Sequence, residues 1–185
     1  MKFVSDYIVF SAPSGGGKTT IAKTLEQKYD ELVISVSATT RPQRPNERNG
    51  VDYYFLSPEN FKEAIQQDRF LEYEQVHGYY YGTLKEKVDE AVANGKTVLF
   101  DIDVNGALSI KKHYPQAVLI FIKPPSKEVL VERLKKRRSE SEEAIRSRLQ
   151  RMEYEYNKAE QFDHIVINDD LQRAIKEIEH LIIAK

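Results

Sequence analysis

The sequence predicts an α/β domain in which a parallel sheet, covered by helices, is interrupted by a small mixed or antiparallel β lobe. Three observations predict it. Short runs rich in β-branched and aromatic residues recur at about 7–11, 33–37, 97–102, 117–122 and 164–167, and helical spacing of apolar residues follows most of them. That alternation is the pattern of a parallel sheet with helices on both faces. Between residues 39 and 83 it breaks into a Pro- and Arg-rich loop, aromatic strands and one short helix. At 185 residues the chain has the length of one ordinary domain.

The first strand, Tyr7-Ile8-Val9-Phe10, runs into Ala12-Pro13-Ser14-Gly15-Gly16-Gly17-Lys18-Thr19-Thr20, and a helix is predicted over 17–29. A strand, a glycine loop, Lys-Thr and a helix make a phosphate cradle. Successive backbone N–H groups turn inward, and the helix N-terminus adds partial positive charge. Gly15, Gly16 and Gly17 permit close approach and positive φ. Lys18 is placed to bridge β- and γ-phosphates and the Thr19 hydroxyl to meet Mg²⁺. Ala12 stands where the usual pattern has its first glycine. The core is thus a P-loop NTPase-type parallel sheet.

After the strand at 33–37 comes the lobe, 39–83. Arg41, Arg44 and Arg48 lie in a loop followed by Tyr53 and Tyr54, and arginine forks match phosphate oxygens bidentately. This indicates a second anion site, to which Tyr53 and Tyr81 could add hydroxyls. Tyrosines are also common core residues, and Tyr79-Tyr80-Tyr81 is expected to contain some. A short helix starts at Pro58 and a strand follows at Phe70-Leu71-Glu72-Tyr73-Glu74.

The helix predicted over 84–94 leads to the strand Thr97-Val98-Leu99-Phe100-Asp101-Ile102-Asp103. Two-residue spacing places Asp101 and Asp103 on one face, at the strand end where α/β sheets bind ligands. An acid pair there also suits an N-cap for the helix over 104–113. Helices are further predicted over 126–138, 140–160 and 171–183. Ser139 and Glu142 form a capping box between the first two, a candidate hinge. Arginines 133, 137, 138, 146, 148 and 151 flank it. They read either as a solvated face or as groups that close over a phosphoryl group.

The 28 basic and 29 acidic residues nearly cancel, so no global field favours nucleic acid or anionic lipid. The chain has no cysteine, which excludes disulfides, thiol nucleophiles and cysteine-ligated zinc, and fits a reducing cytoplasmic location. Met1-Lys2-Phe3-Val4-Ser5-Asp6 is unlike a secretory signal, and no apolar run approaches the length of a membrane span.

The glycine loop, Ser35-Val36-Ser37-Ala38-Thr39-Thr40-Arg41-Pro42-Gln43-Arg44, Asn49-Gly50-Val51-Asp52-Tyr53, Phe70-Leu71-Glu72, His77-Gly78-Tyr79-Tyr80-Tyr81-Gly82-Thr83, Asp101-Ile102-Asp103-Val104-Asn105-Gly106 and Ile167-Asn168-Asp169-Asp170 together resemble guanylate kinase. They run through nearly the whole chain in the family's order. Tyr79 departs from the family's usual asparagine, and Ala12 from its glycine.

The resemblance implies one domain over 1–185, with a CORE at 1–38, 84–125 and 161–185, a GMP-binding lobe at 39–83 and a helical LID at 126–160. It implies phosphoryl transfer from ATP to GMP, and also dGMP, giving ADP and GDP in purine nucleotide metabolism. Ser37, Arg41, Arg44, Tyr53, Glu72, Tyr81, Thr83 and Asp103 would surround GMP. Lys18, Arg41, Arg137 and Arg148 would act on the transferring phosphate, and Asn168 and Asp169 would lie near adenine. Thr19, with Asp101 acting through water, would hold Mg²⁺.

Guanine offers donors at N1 and N2 and an acceptor at O6, so carboxylates and hydroxyls together suit it. Two rival readings stand beside this one. A noncatalytic module binding phosphorylated protein segments is disfavoured by the intact Lys18 and lid arginines. A kinase for AMP, a pyrimidine nucleotide or a sugar phosphate is disfavoured by Glu72, Ser37 and Asp103.

Overall fold

The computed structural model describes residues 2–13, 15–76, 78–126, 128–129, 132 and 142–184. Its first strand, β1 (Tyr7–Ser11), is buried along its length, as apolar residues on both faces require in a central parallel strand. The chain continues through α1 (Lys18–Lys28), β2 (Leu32–Ile34), β3 (Ala38–Thr39), β4 (Tyr54–Phe55), α2 (Pro58–Gln66), β5 (Phe70–Val76), β6 (Tyr79–Leu84), α3 (Lys85–Ala93) and β7 (Thr97–Asp101). Then follow α4 (Val104–His113), β8 (Val118–Lys123), α5 (Glu142–Ala159), β9 (His164–Ile167) and α6 (Leu171–Ile182).

Five strands form one parallel sheet in the order β2-β7-β1-β8-β9. Ile8, Phe10, Leu99 and Ile120 pack with Ile21 and Leu25 of α1 and with Ile175, Ile178 and Ile182 of α6. Val9, Phe100 and Phe121 pack against Val88 of α3 and Val104, Ala107 and Ile110 of α4. The sheet therefore carries helices on both faces, as its strand alternation predicts. Each such side chain, taken wholly from water, contributes about 1.5–3 kcal/mol before entropy is counted.

β2 is shorter than the predicted 33–37. Ser35 still donates its N–H to Leu99, at 2.9 Å, but the chain then leaves for the second sheet, where Ala38 and Thr39 pair with Gly82 and Tyr81. That sheet runs β4-β3-β6-β5, with β3 and β4 parallel and the other pairs antiparallel. Its core is aromatic: Phe61 of α2 stacks on Phe70, ring centres 4.3 Å apart, and on Tyr80. Ser57 caps α2 by accepting from the Asn60 N–H, and Pro58 opens the helix, where its missing N–H costs nothing.

Of the predicted helix over 126–138, residues 128, 129 and 132 are helical, the Val129 N–H donating to the Ser126 hydroxyl at 3.2 Å; the rest of it beyond 126 and the Ser139 half of the capping box lie outside the described residues. Among the described residues, no helix is long and apolar enough to cross a membrane.

Candidate active site

The loop between β1 and α1 is shaped by its glycines. Gly17 is the N-cap of α1 at φ 92°, a left-handed conformation that favours glycine, and no side chain caps the helix. α1 also has no acid in its first turn. Its leading N–H groups thus face outward with neither a capping oxygen nor a carboxylate, a start suited to an anion. Gly16 is closed in: a Cβ there would stand 2.9 Å from the Ala12 Cβ and 3.0 Å from the Pro13 oxygen. The Ala12 methyl therefore fills space beside Gly16. Ser14 lies outside the described residues.

Lys18 extends from α1 to the end of β7, where its ammonium meets the Asp101 carboxylate at 2.8 Å and donates to the Ile102 carbonyl at 2.8 Å. Thr19 and Asp101 line one cleft of about 530 Å³ with Lys23, Ser37 and Tyr53. A hydroxyl and a carboxylate are hard oxygen donors, and Mg²⁺ typically takes few protein ligands and completes its shell with water and phosphate. The two residues fit that ion. Thr20, beside them on α1, is exposed and its carbonyl accepts from the Thr24 hydroxyl.

Across this cleft Arg41 is held in place. Its guanidinium pairs with Glu47 at 2.7 Å, donates to the Pro42 carbonyl at 2.8 Å, and lies over the rings of Tyr53 and Phe55. Tyr81 hydrogen-bonds it, and its ring approaches that of Tyr53. Glu47 also accepts from the Arg44 N–H at 2.9 Å, which ties both arginines into one loop; the Arg44 residue is exposed. Arg41, Tyr53 and Tyr81 thus gather as predicted. Glu47 was not among the predicted site residues; its signal was an acid six residues after Arg41 in a Pro-bounded loop. Of the tyrosine run, Tyr80 packs on Phe61, Tyr79 is exposed and Tyr81 faces Arg41.

Glu72 is brought to the site by an irregularity in pairing. Phe70 faces Leu84 and Glu72 faces Thr83, so Leu71 is an extra residue on β5. Such a bulge re-aims the side chains beyond it. The Thr83 hydroxyl donates to Glu72 at 2.6 Å. Burial pushes the Glu72 carboxyl up to about 7, with repulsion from Asp103 and Glu74 adding to it and the Thr83 bond opposing it. A Cβ on Gly106 would stand 3.3 Å from Glu72, so that glycine gives the carboxylate room against α4.

Asp103 is the N-cap of α4, accepting from the Gly106 N–H at 2.8 Å. Its other oxygen faces Arg151 of α5 at 3.4 Å, and Tyr154 of α5 donates to Asn105 at 2.8 Å. Asp101 and Asp103 do not both lie on β7, as the predicted shared face requires. β7 ends at Asp101, so the two-residue alternation does not continue; Asp101 meets Lys18, whereas Asp103 lines a groove with Glu72 and Glu74. Asp103 caps a helix, as one of its two readings has it, and also borders the groove that holds Glu72 and Glu74.

Asn168 is buried at the end of β9, and its amide donates to the Gly16 carbonyl at 2.9 Å. Asp169 accepts from the Asp170 N–H and pairs with Arg173. Arg137 lies outside the described residues, as does the side chain of Arg148.

The sequence matches the guanylate kinase family over residues 5–185. The chain belongs to the guanylate kinase family. It is 52% identical over 169 residues to the guanylate kinase of Chlorobaculum tepidum, covering 91% of this chain and 87% of that one. A crystal structure of guanylate kinase from Anaplasma phagocytophilum superposes with TM-score 0.73 at 30% identity, over 98% of this chain and 86% of that one. A shikimate kinase from Bacteroides thetaiotaomicron, at 16% identity and TM-score 0.55 over 97% of this chain and 98% of that one, shares the fold. As a guanylate kinase the protein is a nucleotide-binding phosphate-loop enzyme, and this membership implies ATP-dependent phosphorylation of GMP to GDP.

Proposed function

We propose that the cleft between the two sheets takes ATP on the phosphate loop and GMP or dGMP on the small lobe, and transfers the γ-phosphoryl group between them. The observation that carries this reading is the opposition of two unlike sites: Lys18 and the open start of α1 on one side, and Glu72, Thr83 and Asp103 on the other.

A phosphate oxygen of GMP attacks the γ-phosphorus, the bond from that phosphorus to the β,γ-bridging oxygen breaks, and ADP leaves with the electron pair. The acceptor oxygen is already anionic, so no strong protein base is needed. The residues align two polyanions and offset their repulsion. Lys18 neutralises the β- and γ-phosphates. Arg41 and Arg44, with Tyr53 and Tyr81, hold the GMP phosphate, Arg41 being preset by Glu47. Glu72 accepts from guanine N1–H and N2–H₂, the Thr83 hydroxyl fixes that carboxylate, and Ser37 and Asp103 complete the pocket. Thr19 and Asp101 would hold Mg²⁺, which neutralises phosphate charge. Arg137 and Arg148 approach the transferring group, and Asn168 and Asp169 border the adenine. In this reading 1–38, 84–125 and 161–185 form the CORE, 39–83 the GMP-binding lobe and 126–160 the LID of one domain working in the cytoplasm on purine nucleotides.

The test is an ATP-dependent assay over GMP, dGMP, AMP, UMP and CMP, run beside phosphopeptide binding. Turnover of GMP and dGMP alone is expected. Equal use of AMP, or phosphopeptide binding without turnover of any nucleotide, overturns the reading.

A further inference from the structure

The phosphate loop is gripped from outside its own motif. Asn168 is 5% exposed, and its N–H donates to the Lys123 carbonyl at 2.8 Å, which fixes it beside the end of β8. From there its side-chain amide reaches across 152 residues of sequence to the Gly16 carbonyl at 2.9 Å. A Cβ on Gly17 would stand 2.3 Å from that amide nitrogen. Gly17 is therefore required twice, by its φ of 92° and by the Asn168 amide packed against it.

The geometry of the peptide bond gives this contact a consequence. In a planar trans peptide the C=O of one residue and the N–H of the next point in opposite directions. Holding the Gly16 oxygen toward β9 turns the Gly17 N–H away from it, toward the loop's open side. Phosphate loops bind through such N–H groups. Gly16 cannot easily swing to another orientation, because its own N–H donates to the Pro13 carbonyl at 2.8 Å and Ala12 closes the space at its Cα.

We infer that Asn168 is a positioning residue for the phosphate loop: its amide fixes the Gly16–Gly17 peptide so that the Gly17 N–H meets the β-phosphate of the donor nucleotide. The inference rests on the assignment of ATP to this loop. It gives Asn168 a role toward phosphate that is independent of the base.

Two variants test it. Asn168→Asp keeps the shape but replaces the N–H donor with a carboxylate facing a carbonyl, and Asn168→Ala removes the group. Both are expected to lower kcat at saturating ATP by about 10- to 100-fold, the scale of a small misplacement at a reacting centre, while KM for GMP stays within about twofold. The Gly17 amide proton should move strongly downfield when ADP is added to the wild type and not to the variants. In the wild type alone, a scalar coupling across the bond from the Asn168 side-chain nitrogen to the Gly16 carbonyl carbon should be measurable.

Variants that bind ATP more weakly but inorganic triphosphate as tightly as the wild type, with kcat unchanged, would confine Asn168 to the adenine and overturn the inference. So would an unchanged enzyme, or the absence of the coupling and of the ADP-induced shift in wild type, results that do not depend on either variant folding. Failure of the GMP kinase reading shows separately, as a wild type that does not phosphorylate GMP.

Discussion

At the phosphate loop, polar groups meet partners of opposite character: Lys18 faces Asp101, the Gly16 carbonyl faces the Asn168 amide, and α1 has no acid in its own first turn. At the small lobe the arrangement is reversed. Glu72 is pressed among groups of its own sign, Asp103 and Glu74, with Thr83, through its hydroxyl and its backbone, favouring the ionised form. The first region is organised by the backbone and stands ready for an anion. The second keeps an unfavourable carboxylate that a ligand with N–H donors would relieve. Phosphate is common to every nucleotide, so a backbone cradle serves; a base must be discriminated, and a buried acceptor left without its donor penalises the wrong one.

The largest expected effects break the two regions separately. Lys18→Met should reduce turnover by about 10²-fold or more with the fold retained, because a positive group on the transferring phosphate is lost; steady-state kinetics beside a melting curve check this. Glu72→Gln should lower kcat/KM for GMP strongly and leave ATP affinity little changed. The wild type should favour GMP over AMP by about 10⁴-fold, and equal use of the two would remove Glu72 as the guanine reader.

A pH series sharpens the contrast. With its pKa raised from 4.5 to about 7, Glu72 favours the protonated form in the fold. Its contribution to stability is complete below the ordinary carboxyl pKa and is lost as pH rises through about 7. Binding of guanine has the opposite sign, since the carboxylate must be ionised to accept from N1–H and N2–H₂. kcat/KM for GMP should therefore rise with pH and level off above about 7, and Glu72→Gln should lose that limb. Thr83→Val, which removes the donor to Glu72, should move the limb to higher pH and lower kcat/KM near neutrality by about tenfold, the scale of one hydrogen bond to a charged group.

The smallest effect lies under the loop. Ser11 ends β1, and its buried hydroxyl has no hydrogen-bond partner among the described residues. Ser11→Ala should leave kinetics unchanged and raise stability by up to about 1 kcal/mol, because an unsatisfied polar group is removed. A fall in melting temperature would show that the hydroxyl is satisfied in solution.

The contrast between the regions is also a contrast in what could be read from sequence. The strand, glycine loop and helix at the phosphate site are contiguous, and their chemistry lies in consecutive peptide groups, so residues 7–28 carry the site in their order. The alternation of strand-like and helix-like runs likewise gave the parallel sheet. That Arg41, Tyr53 and Tyr81 gather was legible from residue type, but the Glu47 that holds Arg41 was not, because its contact depends on how the loop folds back.

What the sequence by itself determined is thus the α/β order, the strand, glycine loop and helix of the phosphate cradle, and the family. Tertiary structure alone decided which side chains meet. The extra Leu71 in β5 sets Glu72 opposite Thr83, the end of β7 separates Asp101 from Asp103, and the β8–β9 edge carries Asn168 to Gly16. Hydrophobic periodicity specifies which face of an element is buried; strand register and sheet order, which emerge only when the elements pack, fix the neighbours of a polar group.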